Sequence, residues 1–504
     1  MSLLWPIIGQ GLKNPRRTAV VDDQRSYSYG QLVGGAAFVA EKIDDTTALP
    51  HVGILLPTGG AFPIALLGAW LAGRVVVPLN YLLGADELKF IISDSDIDTV
   101  ITVPAMLDFV GGPSVIPDGV RTLNMQQMDF SGFPPLRWPP LPSRDQTAVI
   151  LYTSGTSGRP KGVMLTHGNL RSNVDAAIVH ANITRADTFL GVLPQFHSFG
   201  LTALTLVPLR VGSKTVYSAR FVPRKVVQLI RRHSPDIVMA VPSMYGALLS
   251  VKGAGPDDFK SIRFAISGGE PLPQATFDAF QHRFEVTLLE GYGLTETAPA
   301  ANWSTPQRSK RHSVGPALPQ VRVVIVDDKD TPQPPDVDGE ILIAGPNIMK
   351  GYYHQPQQTA EVFVNLKDPD DGQAKKFFRT GDIGRLDDEG YLYITGRKKE
   401  MLIIGGENVF PREIEEVLNK HAAVRDSAVI GQTDGMRGEV PIAFVELEDG
   451  QSFDESGLRA WCREHLAQFK APREIHHVES LPRNATGKIL RRQLKVEAGE
   501  VVGA

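Results

Sequence analysis

Residues 148–167 read AVILYTSGTSGRPKGVMLTH, and this stretch gathers the groups that hold a polyphosphate. Thr153, Ser154, Thr156 and Ser157 offer hydroxyls, Gly155 and Gly158 let backbone N–H groups approach an anion closely, and Lys161 brings positive charge. The apolar, β-branched residues 149–152 read as a strand leading in, and residues 163–165 as a strand leading out. The pattern is not a Walker A loop, which needs G-x-x-x-x-G-K-[ST] opening a helix. Here Pro160 separates the glycines from Lys161, and Gly162 follows it.

Other stretches carry reactive side chains in the same style. Glu290-Gly291-Tyr292-Gly293-Leu294-Thr295-Glu296-Thr297 follows a strand over residues 286–289 and crowds its polar groups into one turn. Tyr292 can stack on a purine, Thr295 can donate to an α-phosphate, and Glu296 is a hard oxygen ligand suited to Mg²⁺ beside phosphates. His197 stands among aromatics in Phe196-His197-Ser198-Phe199-Gly200, and a strand over 263–266 runs into Ser267-Gly268-Gly269-Glu270-Pro271. Asp382 lies in Arg379-Thr380-Gly381-Asp382-Ile383-Gly384. A basic cluster, Arg397-Lys398-Lys399, abuts an apolar strand and the Gly405-Gly406 pair, and Gly487-Lys488 sits in a basic C-terminal run.

The elements that must position these groups follow from composition and periodicity. A chain of 504 residues with 42% apolar and 21% charged residues is a globular protein with several cores. A net charge of −4 without a strongly basic block, and without basic-aromatic interleaving, argues against a nucleic-acid binder. The single cysteine, Cys462, excludes an internal disulfide and a cysteine-based zinc site, fits a reducing compartment, and reads as a partly buried helical residue. The N-terminus is apolar first and basic later, the reverse of a secretory signal. The uncharged residues 53–73 mimic a membrane span, but Pro57-Thr58-Gly59-Gly60 divides them into a strand over 52–56 and a buried helix over 62–71.

Residues 1–145 alternate strand and helix, as in an α/β domain with a largely parallel sheet, and the Pro-rich residues 132–143 read as an extended surface linker. A second α/β unit follows, with a strand ending at 192, an apolar helix over 201–209, a strand over 214–217, a basic amphipathic helix over 223–233 and a strand over 236–240. Ligands of such sheets collect beyond the C-terminal ends of strands, which is where the motifs fall. From about 310 to 395 short strands and turns predict a small antiparallel barrel or sheet, and from about 400 onward the pattern is α+β. The expected fold is multidomain α/β: residues 1–398 as two α/β subdomains plus the small barrel, and residues 399–504 as a small mobile C-terminal domain.

These motifs, in this order, resemble the adenylate-forming superfamily, in its acyl-CoA synthetase branch. The resemblance implies that Thr153, Ser154, Gly155, Thr156, Ser157 and Lys161 bind ATP phosphates. It implies that Gly268, Gly269, Glu270, Glu290, Gly291, Tyr292, Thr295, Asp382 and Arg397 bind the AMP portion, Asp382 through the two ribose hydroxyls. Glu296 would hold Mg²⁺. Lys488 would bridge the attacking carboxylate and the α-phosphate, and His197 would lie beside the reacting carboxylate. Lys399 would be the hinge, with Gly405 and Gly406 lining the channel for the pantetheine arm, and Lys398, Lys399, Arg491 and Arg492 offering charge to the nucleotide end of coenzyme A.

The implied reaction couples a carboxylic acid to coenzyme A through an acyl-adenylate, consuming ATP and releasing pyrophosphate and AMP. No acid stands near His197 to hold a substrate amine, and an unpaired buried cation is costly, which points away from amino acids. His197, Phe199, Val241, Tyr245 and Leu294 are the expected acyl-pocket residues. A medium- or long-chain fatty acid is the first expectation and an aryl acid the second; Gln195, where an apolar residue is common, and Ile403, where aryl ligases of plants have a basic one, weaken the aryl reading. Transfer to an acyl carrier protein is the alternative acceptor. The expected setting is cytoplasmic, with no transmembrane segment, and the oligomeric state is left open, a homodimer included.

Overall fold

The computed structural model describes residues 2–153, 159–404, 407–434, 438–483, 489–497 and 500–502. Its first sheet has seven strands in the spatial order Gly351–Tyr352, Lys161–Thr166, Thr147–Thr153, Val75–Pro78, His51–Leu55, Ile97–Thr102 and Arg121–Asn124. The strands from Thr147–Thr153 to Arg121–Asn124 pair in parallel, while Lys161–Thr166 turns back antiparallel on Thr147–Thr153. Residues 53–73 behave as their proline and glycines require. The strand His51–Leu55 and the helix Ala61–Leu71 are buried almost throughout, because both faces of a parallel sheet are covered. No described helix is long and apolar enough to cross a membrane.

The second sheet has eight strands: Ala300–Trp303, Leu288–Gly293, Phe264–Gly268, Ile237–Ala240, Thr188–Gly191, Lys214–Tyr217, Thr18–Val21 and Ser26–Ser28. The last two correct the grouping of residues 1–145 into one unit. Thr18–Val21 pairs in parallel with Lys214–Tyr217, and the Tyr29 hydroxyl donates to the Pro208 and Ser213 carbonyls. Strand periodicity sets a strand and its faces but not its partner, and here the partner lies almost two hundred residues away. The helix beyond is already legible: Ser28 and Gln31 form a reciprocal capping box at its start.

A third, antiparallel sheet carries Arg322–Val326, Gly339–Ala344, Phe363–Lys367 and Leu392–Arg397 around the long strand Ala374–Leu386. The C-terminal region builds its own sheet from Leu402–Ile404, Glu407–Val409, Val424–Asp434, Gly438–Leu447 and Glu474–His477, backed by the helices Pro411–Leu418 and Glu455–His465. Cys462 is buried in its core. Residues 132–143 have no regular structure and keep Phe133, Leu136, Trp138 and Leu141 exposed.

Gln195 ties the first sheet to the second. Its carboxamide oxygen accepts from the Gly59 N–H at 2.8 Å, and its amide nitrogen donates to Thr205 Oγ1 at 3.1 Å. Only a side chain with both an acceptor and a donor closes this buried bridge, which explains a polar residue at an otherwise apolar position. Gln195→Leu keeps much of the volume but strands the Gly59 N–H, and is expected to lower stability by about 1–3 kcal/mol, read as a shift of the urea midpoint. An unshifted midpoint would show that the bridge contributes nothing net.

Candidate active site

The strand ends of the first and second sheets, the third sheet and the C-terminal region converge on one cavity of about 1080 Å³. Thr153 and Lys161 face each other at the mouth of the hairpin formed by Thr147–Thr153 and Lys161–Thr166, and both line the cavity. The Thr153 hydroxyl is buried without a hydrogen-bond partner. Ser154, Gly155, Thr156 and Ser157 lie outside the described residues, as do Gly405, Gly406 and Lys488.

Glu296 sits in a single 3₁₀ turn, Thr295–Thr297, rather than in an open loop, because the preceding strand runs on through Gly293 and pairs with Ala300–Trp303. Position 293 demands glycine: a Cβ there would stand 1.9 Å from the Pro299 carbonyl oxygen. The Glu296 carboxylate is buried. It accepts from the Tyr352 hydroxyl at 2.9 Å and faces Lys161 Nζ at 3.6 Å. The same ammonium lies 3.9 Å from the centre of the Tyr352 ring. Burial, reinforced by the Glu296 charge, pushes the Tyr352 phenol far above its ordinary range and keeps it a donor. Tyr352 was invisible to motif reading. It reaches the site because Gly351–Tyr352 pairs with Lys161–Thr166 at the edge of the first sheet.

A second polar knot lines the same cavity. Asp382 is buried, accepts from the Tyr292 hydroxyl at 2.6 Å and pairs with Arg397 Nε at 3.1 Å. Asp382 and Arg397 are register partners on adjacent antiparallel strands, so the pairing follows from the third sheet itself. Lys399 also lines the cavity in a short 3₁₀ turn; burial and the neighbouring Arg397 charge pull its pKa below the ordinary lysine value. Gly268, Gly269 and Glu270 line another wall. Gly269 holds φ at +85°, a conformation that favours glycine, and a Cβ on Gly268 would crowd Phe199 at 3.3 Å. His197 caps the helix that starts at Ser198: its Nδ1 accepts from the Phe199 N–H at 3.3 Å, so the neutral ring carries its proton on Nε2. The Ser198 and Thr295 hydroxyls lie 3.4 Å apart beside it.

Phe199, Val241 and Leu294 line the cavity as expected, but Tyr245 does not. Its hydroxyl donates to the Val238 and Ile266 carbonyls and its ring packs edge-on against Phe280, which makes it a core residue beneath the sheet. Arg491 is also relocated. It is part-buried and bound bidentately to Glu415 with a further contact to Glu400, so it does not offer charge to a ligand. Lys398, Arg483 and Arg492 line the cavity; Lys398 also pairs with Asp328 and Glu340, and Arg483 with Asp426 and Glu446.

Glu290 lies off the cavity wall. Burial pushes its pKa up to about 7, against Arg412, Arg311 and a Leu272 backbone hydrogen bond that lower it and Glu416 that raises it further. The folded chain therefore keeps a proton that the unfolded chain has released. The resulting stability is complete below the ordinary value of 4.5 and is lost as pH rises through about 7. The full difference is about 3 kcal/mol. Glu290→Gln should match the wild type near pH 5 and exceed its urea midpoint near pH 8; parallel pH profiles would sink this assignment.

The comparisons agree with this geometry. Residues 9–353 match the family described as AMP-binding enzyme, and residues 413–488 match the AMP-binding enzyme C-terminal domain. The chain is 32% identical over 501 residues to a feruloyl-CoA synthase of Amycolatopsis sp., with 98% of each chain covered. It is 31% identical over 493 residues to a long-chain-fatty-acid–CoA ligase of Bacillus subtilis (strain 168), covering 89% of this chain and 86% of the relative. The structure of o-succinylbenzoate CoA synthetase from Bacillus subtilis, in complex with its acyl-adenylate intermediate, superposes with a TM-score of 0.86 at 28% identity over 99% of both chains. With both parts matched in order around one cavity, the chain belongs to the AMP-binding enzymes, in the acid–CoA ligase branch.

Proposed function

We propose that the protein activates an aromatic carboxylic acid with ATP and transfers the acyl group to coenzyme A. The observation that carries this reading is the convergence of Thr153, Lys161, Glu296, Asp382 and Arg397 on one cavity whose remaining walls include His197, Phe199, Val241 and Leu294. The likeness to a feruloyl-CoA synthase and to o-succinylbenzoate CoA synthetase supports an aromatic acid.

In the first half-reaction the substrate carboxylate attacks the α-phosphorus of ATP and pyrophosphate leaves. Thr153 and Lys161 hold the phosphates; Asp382 and Arg397 orient the ribose; Tyr292 and the Gly268-Gly269 wall bracket the purine. Glu296 fits Mg²⁺, which takes one or two carboxylates together with phosphate oxygens and water. Among the described residues no cluster of three metal-binding side chains competes with it. Held at Glu296, such an ion would supply positive charge to the phosphates. Lys488 stabilises the charge that accumulates between the carboxylate and the α-phosphate. In the second half-reaction a thiol attacks the adenylate carbonyl and AMP leaves.

One cavity cannot present a lysine to a phosphate and a channel to a thiol at the same time. The region from residue 399 onward is therefore proposed to rotate about Lys399, withdrawing Lys488 and bringing forward Gly405 and Gly406. The strand ending at Arg397 and the one starting at Leu402 belong to different sheets, so the intervening residues are the natural pivot.

AMP release from ATP, measured over aromatic and straight-chain acids with coenzyme A, with holo-carrier protein and with neither, tests the assignment. Turnover of aromatic acids that requires coenzyme A is expected. Turnover with carrier protein alone would transfer the chain to the carrier-protein ligases. Lys488→Ala should cut adenylation by roughly a hundredfold or more while sparing thioester formation from supplied acyl-adenylate; equal loss in both halves would remove Lys488 from the first step.

A further inference from the structure

The Glu296 carboxylate has two partners in the protein, and both meet it at the same oxygen. The Tyr352 hydroxyl donates to Oε1 at 2.9 Å, and the closest approach of Lys161 Nζ, 3.6 Å, is also to Oε1. Among the described residues none donates a hydrogen bond to Oε2, and that oxygen is not sealed from solvent. The side chain keeps 10% of its surface open, and Glu296 lines the cavity. The carboxylate is thus divided: one oxygen is held by the protein and the other is offered to the cavity.

Local structure makes this division a property of Tyr352. The strand Gly351–Tyr352 pairs with Lys161–Thr166, with Tyr352 opposite Val163, and the flanking Lys350 and Tyr353 N–H groups donate to the Met164 and Gly162 carbonyls. The Tyr352 N–H donates instead to Thr359 Oγ1 at 2.8 Å, and a Cβ on Gly351 would stand 2.7 Å from Thr359 Cγ2. The Met349 N–H donates to the Glu296 carbonyl at 2.8 Å, which ties the same segment to the turn that carries the carboxylate. Tyr352 itself is buried, so its ring and hydroxyl have little freedom. The ring seats the Lys161 ammonium 3.9 Å from its centre while the hydroxyl occupies Oε1. An ammonium and a carboxylate this close would otherwise close into a hydrogen-bonded ion pair and spend their charges on each other.

Resting on Glu296 as the carboxylate that takes Mg²⁺, we propose that Tyr352 is a positioning residue for the metal and the phosphates. Its hydroxyl fixes one oxygen of Glu296 and its ring holds Lys161 short of a hydrogen bond. Oε2 is thereby left open to the cation and the ammonium open to phosphate. Mg²⁺ suits this arrangement, since it takes one or two carboxylates and keeps waters and phosphate oxygens for its other positions. Groups that orient a metal-binding side chain commonly set metal affinity by a factor of about ten or more.

The test is calorimetric binding of ATP to the full chain, with Mg²⁺ and with EDTA in its place, and of AMP as the nucleotide that lacks the β- and γ-phosphates. The ratio of the two ATP affinities is the Mg²⁺ enhancement. Tyr352→Phe removes the hydroxyl and keeps the ring. It should lower the enhancement about tenfold and raise the Mg²⁺ concentration for half-maximal AMP release by a similar factor. Tyr352→Leu removes the seat of Lys161 as well and should also weaken ATP binding in EDTA. AMP should bind both variants as it binds the wild type. An enhancement that is unchanged or increased in Tyr352→Phe overturns the proposal, and so does an equal loss of AMP binding, which would make Tyr352 a structural residue only. Glu296→Gln keeps the two readings apart. Loss of the enhancement there, with its retention in Tyr352→Phe, removes the role of Tyr352 alone. Retention in Glu296→Gln removes Glu296 as the metal carboxylate and the proposal with it.

Discussion

The site depends on a buried carboxylate that three distant parts of the chain must meet. Glu296 is held by the Tyr352 hydroxyl and by Lys161, and the Lys161 ammonium in turn rests on the Tyr352 ring. A buried anion without such partners would neutralise or expel its segment from the interior. Satisfying it fixes the phosphate hairpin against the 3₁₀ turn and against the short edge strand. Lys161 is thereby held in place at the cavity mouth with its charge only partly spent, since 3.6 Å from Glu296 is a loose pairing. A polyphosphate with its cation can take over that partnership at modest cost.

The second polar knot follows the same logic with different parts. Asp382 collects Tyr292 and Arg397, joining the second sheet to the third, and Arg397 ends the last strand before the C-terminal region. Next to it, Lys399 is a desolvated cation close to other cations. The same short turn is tied in both directions: Lys398 pairs with Asp328 and Glu340, and Glu400 with Arg491. The Arg491–Glu415 pair, with Glu400, is made among residues that follow Arg397.

Where the architecture needs a polar side chain between packed elements, hydrogen bonds close it within the protein: Gln195 joins the first sheet to the second, and Asn173 binds the Thr297 and Ala300 carbonyls.

Much of this was legible in the chain as written. The phosphate loop flanks, the division of residues 53–73, the alternation of strand and helix, the antiparallel third region and the motif-bearing strand ends all follow from periodicity, turn residues and side-chain chemistry, which are local properties. What the sequence could not supply was partnership. Thr18–Val21 crosses to the second sheet, Tyr352 enters the site from an edge strand, Tyr245 turns into the core, and Arg491 is consumed by Glu415. Each of these depends on contacts between segments tens to hundreds of residues apart, and a local pattern sets the face of an element without naming what lies against it. The order of the motif-bearing residues was written in the sequence; which of them line the cavity and which are consumed elsewhere was decided only by the tertiary structure, because burial and pairing depend on segments distant in the chain.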